Sequence, residues 1–201
     1  MKDGLIAFFK VVLFLIALPL LIASALAFQT HVLDLPASKE SWLMGGMVTY
    51  ILMNLFLYNF QDLHTWGQSV TMKIFGWAGP LGEIMAFIVP LYTVIAIMIY
   101  VCLMLLGIAP QYEHAFLFAI GFTLTMQVVL SARQLFDADK SPLKAQYLFS
   151  FSLILSANIL IMALLLTWVL SEFSFADYIR SFVAQVTHFY KWAYRILTMD
   201  F

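Results

Sequence analysis

Charge is what this sequence has least of. Asp, Glu, Lys and Arg make up 10% of its 201 residues, whereas a soluble domain carries about one quarter. Hydrophobic residues reach 64%, and the mean hydropathy is +0.96. No soluble fold of this length could hide that much apolar surface, so the solvent is expected to be lipid. A net charge of −1 offers no basic field, which excludes a nucleic-acid partner on electrostatic grounds. Cysteine is nearly absent too. Cys102 stands alone in an apolar run, so neither a disulfide nor a thiolate metal site can form within one chain. Its expected role is that of a small buried hydrophobe. Long polar stretches are also missing, which leaves room for one membrane domain and no sizeable soluble one.

What is present is a series of apolar runs. They predict an all-α fold, a polytopic transmembrane helical bundle of about five spans, at residues 5–28, 42–60, 84–106, 114–135 and 147–170. Residues 1–171 form this transmembrane domain, and 172–201 form an amphipathic C-terminal helix. Lys2 and Lys10 before an apolar run, with Ala25-Leu26-Ala27 beyond it, also resemble a signal peptide with a small-residue cleavage site. The expectation is a retained first span. Pro36 is a helix stop, and Trp42 suits an interfacial anchor. Gly76, Gly79 and Gly82 with Pro80 mark the clearest break in the chain. Pro90 falls inside the third span, where neighbouring helices can tolerate a kink.

In the tail, Phe175, Ile179, Phe182, Val186, Phe189 and Ile196 recur at helical spacing, with Trp192 beside them. Asp177, Arg180, His188, Lys191 and Arg195 occupy other faces. This pattern predicts a helix lying in the membrane interface, with docking against a partner subunit as the alternative. On a five-span scheme, Lys2, Lys10, Lys73, Arg133, Lys140 and Lys144 share one side, against Lys39, Arg180, Lys191 and Arg195 on the other. The positive-inside rule then predicts a cytoplasmic N-terminus and an external C-terminus, with a bacterial inner membrane as the expected location.

Candidate chemistry is sparse. The densest polar cluster lies between Asn59 and Thr71 and includes Asp62, His64 and Gln68, with Glu83 further on. A metal site needs three or four ligands. Asp62 and His64 stand two positions apart, on different helix faces, so a solvated helix end with an interfacial histidine is expected. No metal or other cofactor is predicted. Asn54, Gln127, Ser156 and Asn158 are the uncharged polar residues within the spans singled out as candidates. Their expected role is interhelical hydrogen bonding, worth about 0.6–2 kcal/mol each, against lining a substrate path.

The stretch Leu63-His64-Thr65-Trp66-Gly67-Gln68, followed by Phe75-Gly76, resembles the metal-binding helix of site-2-protease-like membrane metallopeptidases, where the pattern is H-E-x-x-H. Pro90-Leu91-Tyr92-Thr93 resembles a proline-containing span of that family, and Gly121 to Asn158 its last spans. The resemblance covers about residues 42–170. It implies a zinc helix in which His64 matches the first histidine. Thr65 stands in place of the glutamate, Gln68 in place of the second histidine, and Gln127 where a later histidine would be sought. One histidine cannot hold catalytic zinc, so the implied relative is degenerate and non-proteolytic. The expected function is therefore a non-enzymatic membrane subunit or scaffold, with the lipid bilayer and other membrane subunits as partners. A degenerate metallopeptidase-like protein and a small transporter or lipid-handling protein are the alternatives.

Overall fold

A computed structural model describes residues 2–56, 59–139 and 145–198. Eight α-helices run through them in chain order: α1 (Lys2–Leu33), α2 (Ala37–Phe56), α3 (Gln61–Phe75), α4 (Pro80–Ile88), α5 (Leu91–Leu105), α6 (Glu113–Asp139), α7 (Ala145–Val169) and α8 (Phe175–Thr198). No strand occurs among the described residues. Pro36 ends α1 as expected, and its carbonyl accepts from the Lys39 and Glu40 amides to start α2.

Among the described residues, three helical segments are long and apolar enough to cross a membrane: Val11–Leu33, Glu113–Asp137 and Leu148–Val169. A fourth is reached only if α2 and the segment after it count as one span, although the two are bent by 120°. This is fewer than the five spans expected, and the reason is local. Pro90 has no N–H to donate, so the third predicted span is two helices of nine and fifteen residues, each too short alone. The second predicted span begins earlier, at Ala37, and turns into a separate helix α3. The loop expected over 136–144 is helical up to Asp139, and residues 140–144 lie outside the described residues.

The glycine break is tighter than its sequence suggests. Gly76–Ala78 form one 3-10 turn, and Gly79 takes a φ of 58°, a region that suits glycine. Pro80 then opens α4 at its first turn. A Cβ on Gly82 would lie 2.7 Å from the Phe75 carbonyl oxygen, so α3 and α4 fold into a close hairpin.

Packing follows small residues in the middle of the molecule. α2 lies along α6, and α1 lies along α7 and α8. A Cβ on Gly46 would collide with the Phe118 carbonyl, and one on Gly121 with the Leu43 carbonyl. Around this contact Leu43, Ile97, Leu117, Ile120, Ala163 and Leu166 form a buried core.

The C-terminal helix departs from its expected course. The ring of Tyr178 lies 6.2 Å from that of His31, and the Tyr190 phenol donates to the Ile16 carbonyl at 2.8 Å. Residues 178–190 of α8 thus accompany residues 16–31 of α1, in the opposite direction. Phe175, Ile179, Phe182, Val186 and Phe189 are half-buried on the inner face, while Trp192 and Ile196 are exposed. The face expected to meet the membrane interface or a partner is largely covered by the chain's own helices, because aromatic side chains find apolar surface on α1 and α7. Asp177, Arg180, Ala184, Thr187, Lys191 and Arg195, with His188, remain exposed on the outward face.

Candidate functional site

Pro90 builds the polar centre of the protein. The Val89 amide donates to Met85, and the Leu91 amide turns to the Val89 carbonyl at 3.0 Å. In an unbroken helix Leu91 would serve Phe87. The Phe87 carbonyl is thereby left without a helical donor in the interior, where an unmet carbonyl is costly. Two side-chain amides fill the vacancy. Gln127 on α6 donates its Nε2 at 2.9 Å, and Asn158 on α7 donates its Nδ2 at 3.2 Å. Asn158 also donates to Ile154 on its own helix.

His64 enters this centre from α3. His64, Gly67 and Thr71 are the buried residues of that helix, spaced three and four apart on one face. A Cβ at Gly67 would lie 2.8 Å from the Tyr92 ring, so glycine lets that ring approach. The Tyr92 phenol then donates to the Leu63 carbonyl. His64 is 1% exposed. It is a core histidine, contrary to the solvated helix end expected from the sequence. Its Nε2 lies 3.4 Å from Ser131 Oγ, and Gln127 Nε2 donates to that same oxygen at 3.3 Å. The Ser131 hydroxyl is thus the group that His64 and Gln127 share.

The structure separates other members of the predicted cluster. Asp62 is exposed, away from His64, and Gln68 is half-buried. The Glu83 side chain lies outside the described residues. Asn54 is half-buried on α2. The Ser156 hydroxyl donates to Ser152 on its own helix at 2.7 Å, so it does not link helices. Sequence reading missed Ser131, although Gln127 and Ser131 stand four apart in an apolar span, a spacing that places them on one face. It also missed Thr93 and Thr123, whose hydroxyls meet at 2.9 Å between α5 and α6.

Ser131 and His64 have the residue types of a nucleophile and its base, but the surroundings do not fit that role. Gln127 already donates to the serine oxygen. The space beside Ser131 and Asn158 measures about 10 Å³, room for about one water. The donors around His64 are a hydroxyl and amides, a set that does not fit catalytic zinc. Among the described residues no three of His, Cys, Asp and Glu gather as ligands would.

A second polar device sits at the opposite end of the bundle. Lys39 Nζ lies 2.7 Å from Glu113 and 2.9 Å from Glu172, tying the start of α2 to the start of α6 and to the α7–α8 connection. The hydrogen bond from Lys39 holds the Glu172 carboxyl below the usual carboxylate range. No protein-family model, curated protein or solved structure matches the chain.

Proposed function

We propose that the chain is a non-enzymatic integral membrane protein that serves as a subunit or scaffold of a membrane complex. The observation that carries this reading is the course of α8. Its outward stripe holds Arg180, Thr187, His188 and Lys191, all exposed, alongside the apolar segment Val11–Leu33. Lipid tails cover such a stripe poorly, whereas a polar face of another subunit covers it well. The interior adds support, since the buried amides of Gln127 and Asn158 hold a broken helix together.

We further propose five crossings before α8, with the α4–α5 pair acting as one broken span. The N-terminus is then cytoplasmic in a bacterial inner membrane. Because α8 runs back along α1, the C-terminus returns to that same side, a revision of the external end expected from sequence. Of the ten Lys and Arg residues, only Lys39 and Arg180 then stay on the far side, which strengthens the positive-inside asymmetry.

The test is the mass of the particle after extraction in mild detergent, combined with labelling of single cysteines at Thr187 and His188 by a water-soluble maleimide. A larger complex with both positions shielded is expected. A strictly monomeric particle with both positions freely labelled would sink the reading.

A second reading, a degenerate relative of intramembrane metallopeptidases, is favoured by one observation: His64 and Gln127 meet at the same Ser131 hydroxyl. These are the two positions at which the resemblance seeks metal ligands. Stoichiometric zinc that disappears in His64→Ala would instead indicate a working metal site.

A further inference from the structure

A cavity of about 360 Å³ opens between the α1–α7 pair and the α2–α6 pair. Val32, Leu124 and Met162 are its buried walls, with Phe28, Met47 and Ile159 half-buried around them. Gln29, Leu33 and Met44 are exposed at its rim. Leu33 ends an apolar membrane-length segment, and Leu124, Leu155 and Ile159 line the cavity from two others. Walls of this kind open sideways onto lipid. The size lies at the lower end of small-ligand sites, which are mostly apolar with a few placed polar groups.

Here those groups are Glu40 and Gln29. The third polar lining residue, Thr125, has its hydroxyl engaged by the Gly121 carbonyl. Glu40 makes no ion pair among the described residues. The lysine next to it in sequence is not available, because Lys39 is bound by both Glu113 and Glu172. The end of the molecule where α1 passes into α2 therefore combines a slot for a hydrocarbon chain with an uncompensated carboxylate. A primary ammonium is the group that complements it, since it brings both a charge and three hydrogen-bond donors.

We propose that this cavity binds one acyl chain of a membrane phospholipid with a primary-amine headgroup, and that Glu40 holds the ammonium. The inference rests on the chain being an integral membrane protein, and it adds a specific lipid to the subunit reading.

The experiment is native mass spectrometry of the full chain. The protein is delipidated in mild detergent and then offered phosphatidylethanolamine, phosphatidylcholine or phosphatidylglycerol with identical acyl chains. The expected result is one retained phosphatidylethanolamine, favoured about tenfold over the other two, a difference of about 1.4 kcal/mol. Glu40→Gln is expected to remove the headgroup preference while chain occupancy persists. Val128→Trp, at a half-buried lining position, is expected to abolish retention of all three lipids. Leu155→Phe provides a milder filling should the tryptophan prevent folding. Equal retention of the three lipids by the unmodified protein, or a preference that Glu40→Gln leaves unchanged, would overturn the proposal. A monomer that keeps the lipid sinks the subunit reading alone, and a complex that shows no lipid preference sinks this proposal alone.

Discussion

Where α2 crosses α6, backbone meets backbone, because Gly46 and Gly121 leave no room for a Cβ. Where α8 lies along α1, the contact is made by rings and one phenol: Tyr178 against His31, and Tyr190 on the Ile16 carbonyl. The first seam has no flexible atoms to yield, so even one added methyl must displace a main chain. The second is built from side chains that can rotate, and its outer half is exposed. Helices that approach through small residues are common in membranes, where close packing replaces the hydrophobic drive of water. The difference suggests a rigid α2–α6 spine and a C-terminal helix whose attachment can be weakened one group at a time.

The spine should break first and hardest. Gly121→Ala or Gly46→Ala is expected to cost at least the 1–3 kcal/mol or so of ordinary overpacking, and Gly46→Leu to abolish the folded protein. Thermal unfolding in mild detergent measures this, and an unchanged midpoint for Gly46→Ala would show that the seam has slack after all.

The polar centre at Pro90 should come next. Gln127→Leu or Asn158→Leu leaves the Phe87 carbonyl one donor, and each is expected to cost about 1–2 kcal/mol. The double variant removes both donors and should cost more than the two single losses added. A double-mutant cycle reads that excess, and simple additivity would mean that the two amides do not share the carbonyl.

The α1–α8 seam should answer more gently. Tyr190→Phe removes one hydrogen bond and is expected to cost about 0.5–1.5 kcal/mol. Faster amide exchange should be confined to the second half of α8. If exchange quickened equally in α2 and α6, the two seams would not be independent.

The smallest effect concerns the Lys39–Glu113–Glu172 tie. Glu172 is held below its ordinary value, chiefly by the hydrogen bond from Lys39. The unfolded chain therefore takes up its proton first as pH falls. The contribution of Glu172 is complete above the unfolded value of about 4.3 and is lost as pH falls through the lower folded value. Glu172→Gln should lower thermal stability slightly at neutral pH, since the pair is partly exposed, and its difference from the unmodified protein should vanish as pH falls through that window. An identical acid profile for the two proteins would assign the loss to other carboxylates.

How much of this was legible depends on the range of the interaction. The two-faced pattern of residues 175–196 can be read from spacing alone, because a helix face is a local property. So can the break at Gly76–Gly82, where the positive φ of Gly79 and the proline after it are local demands. His64 reads as an interfacial residue because its sequence neighbours Asp62, Thr65 and Ser69 are polar. What buries it is Gln127 and Ser131, more than sixty positions away. Gly46 and Gly121 likewise carry no mark in sequence that each faces the other's helix.

By itself, then, the sequence determined the helical class and several local breaks. Ten per cent charge and long apolar runs suit helices able to cross a membrane, where each helix satisfies its backbone groups within its own segment. Tertiary structure decided which carbonyl the interior amides serve, which way α8 runs, and where a cavity remains. Those outcomes depend on which distant surfaces meet, and apolar faces that meet lipid or a neighbouring helix are alike until they are packed.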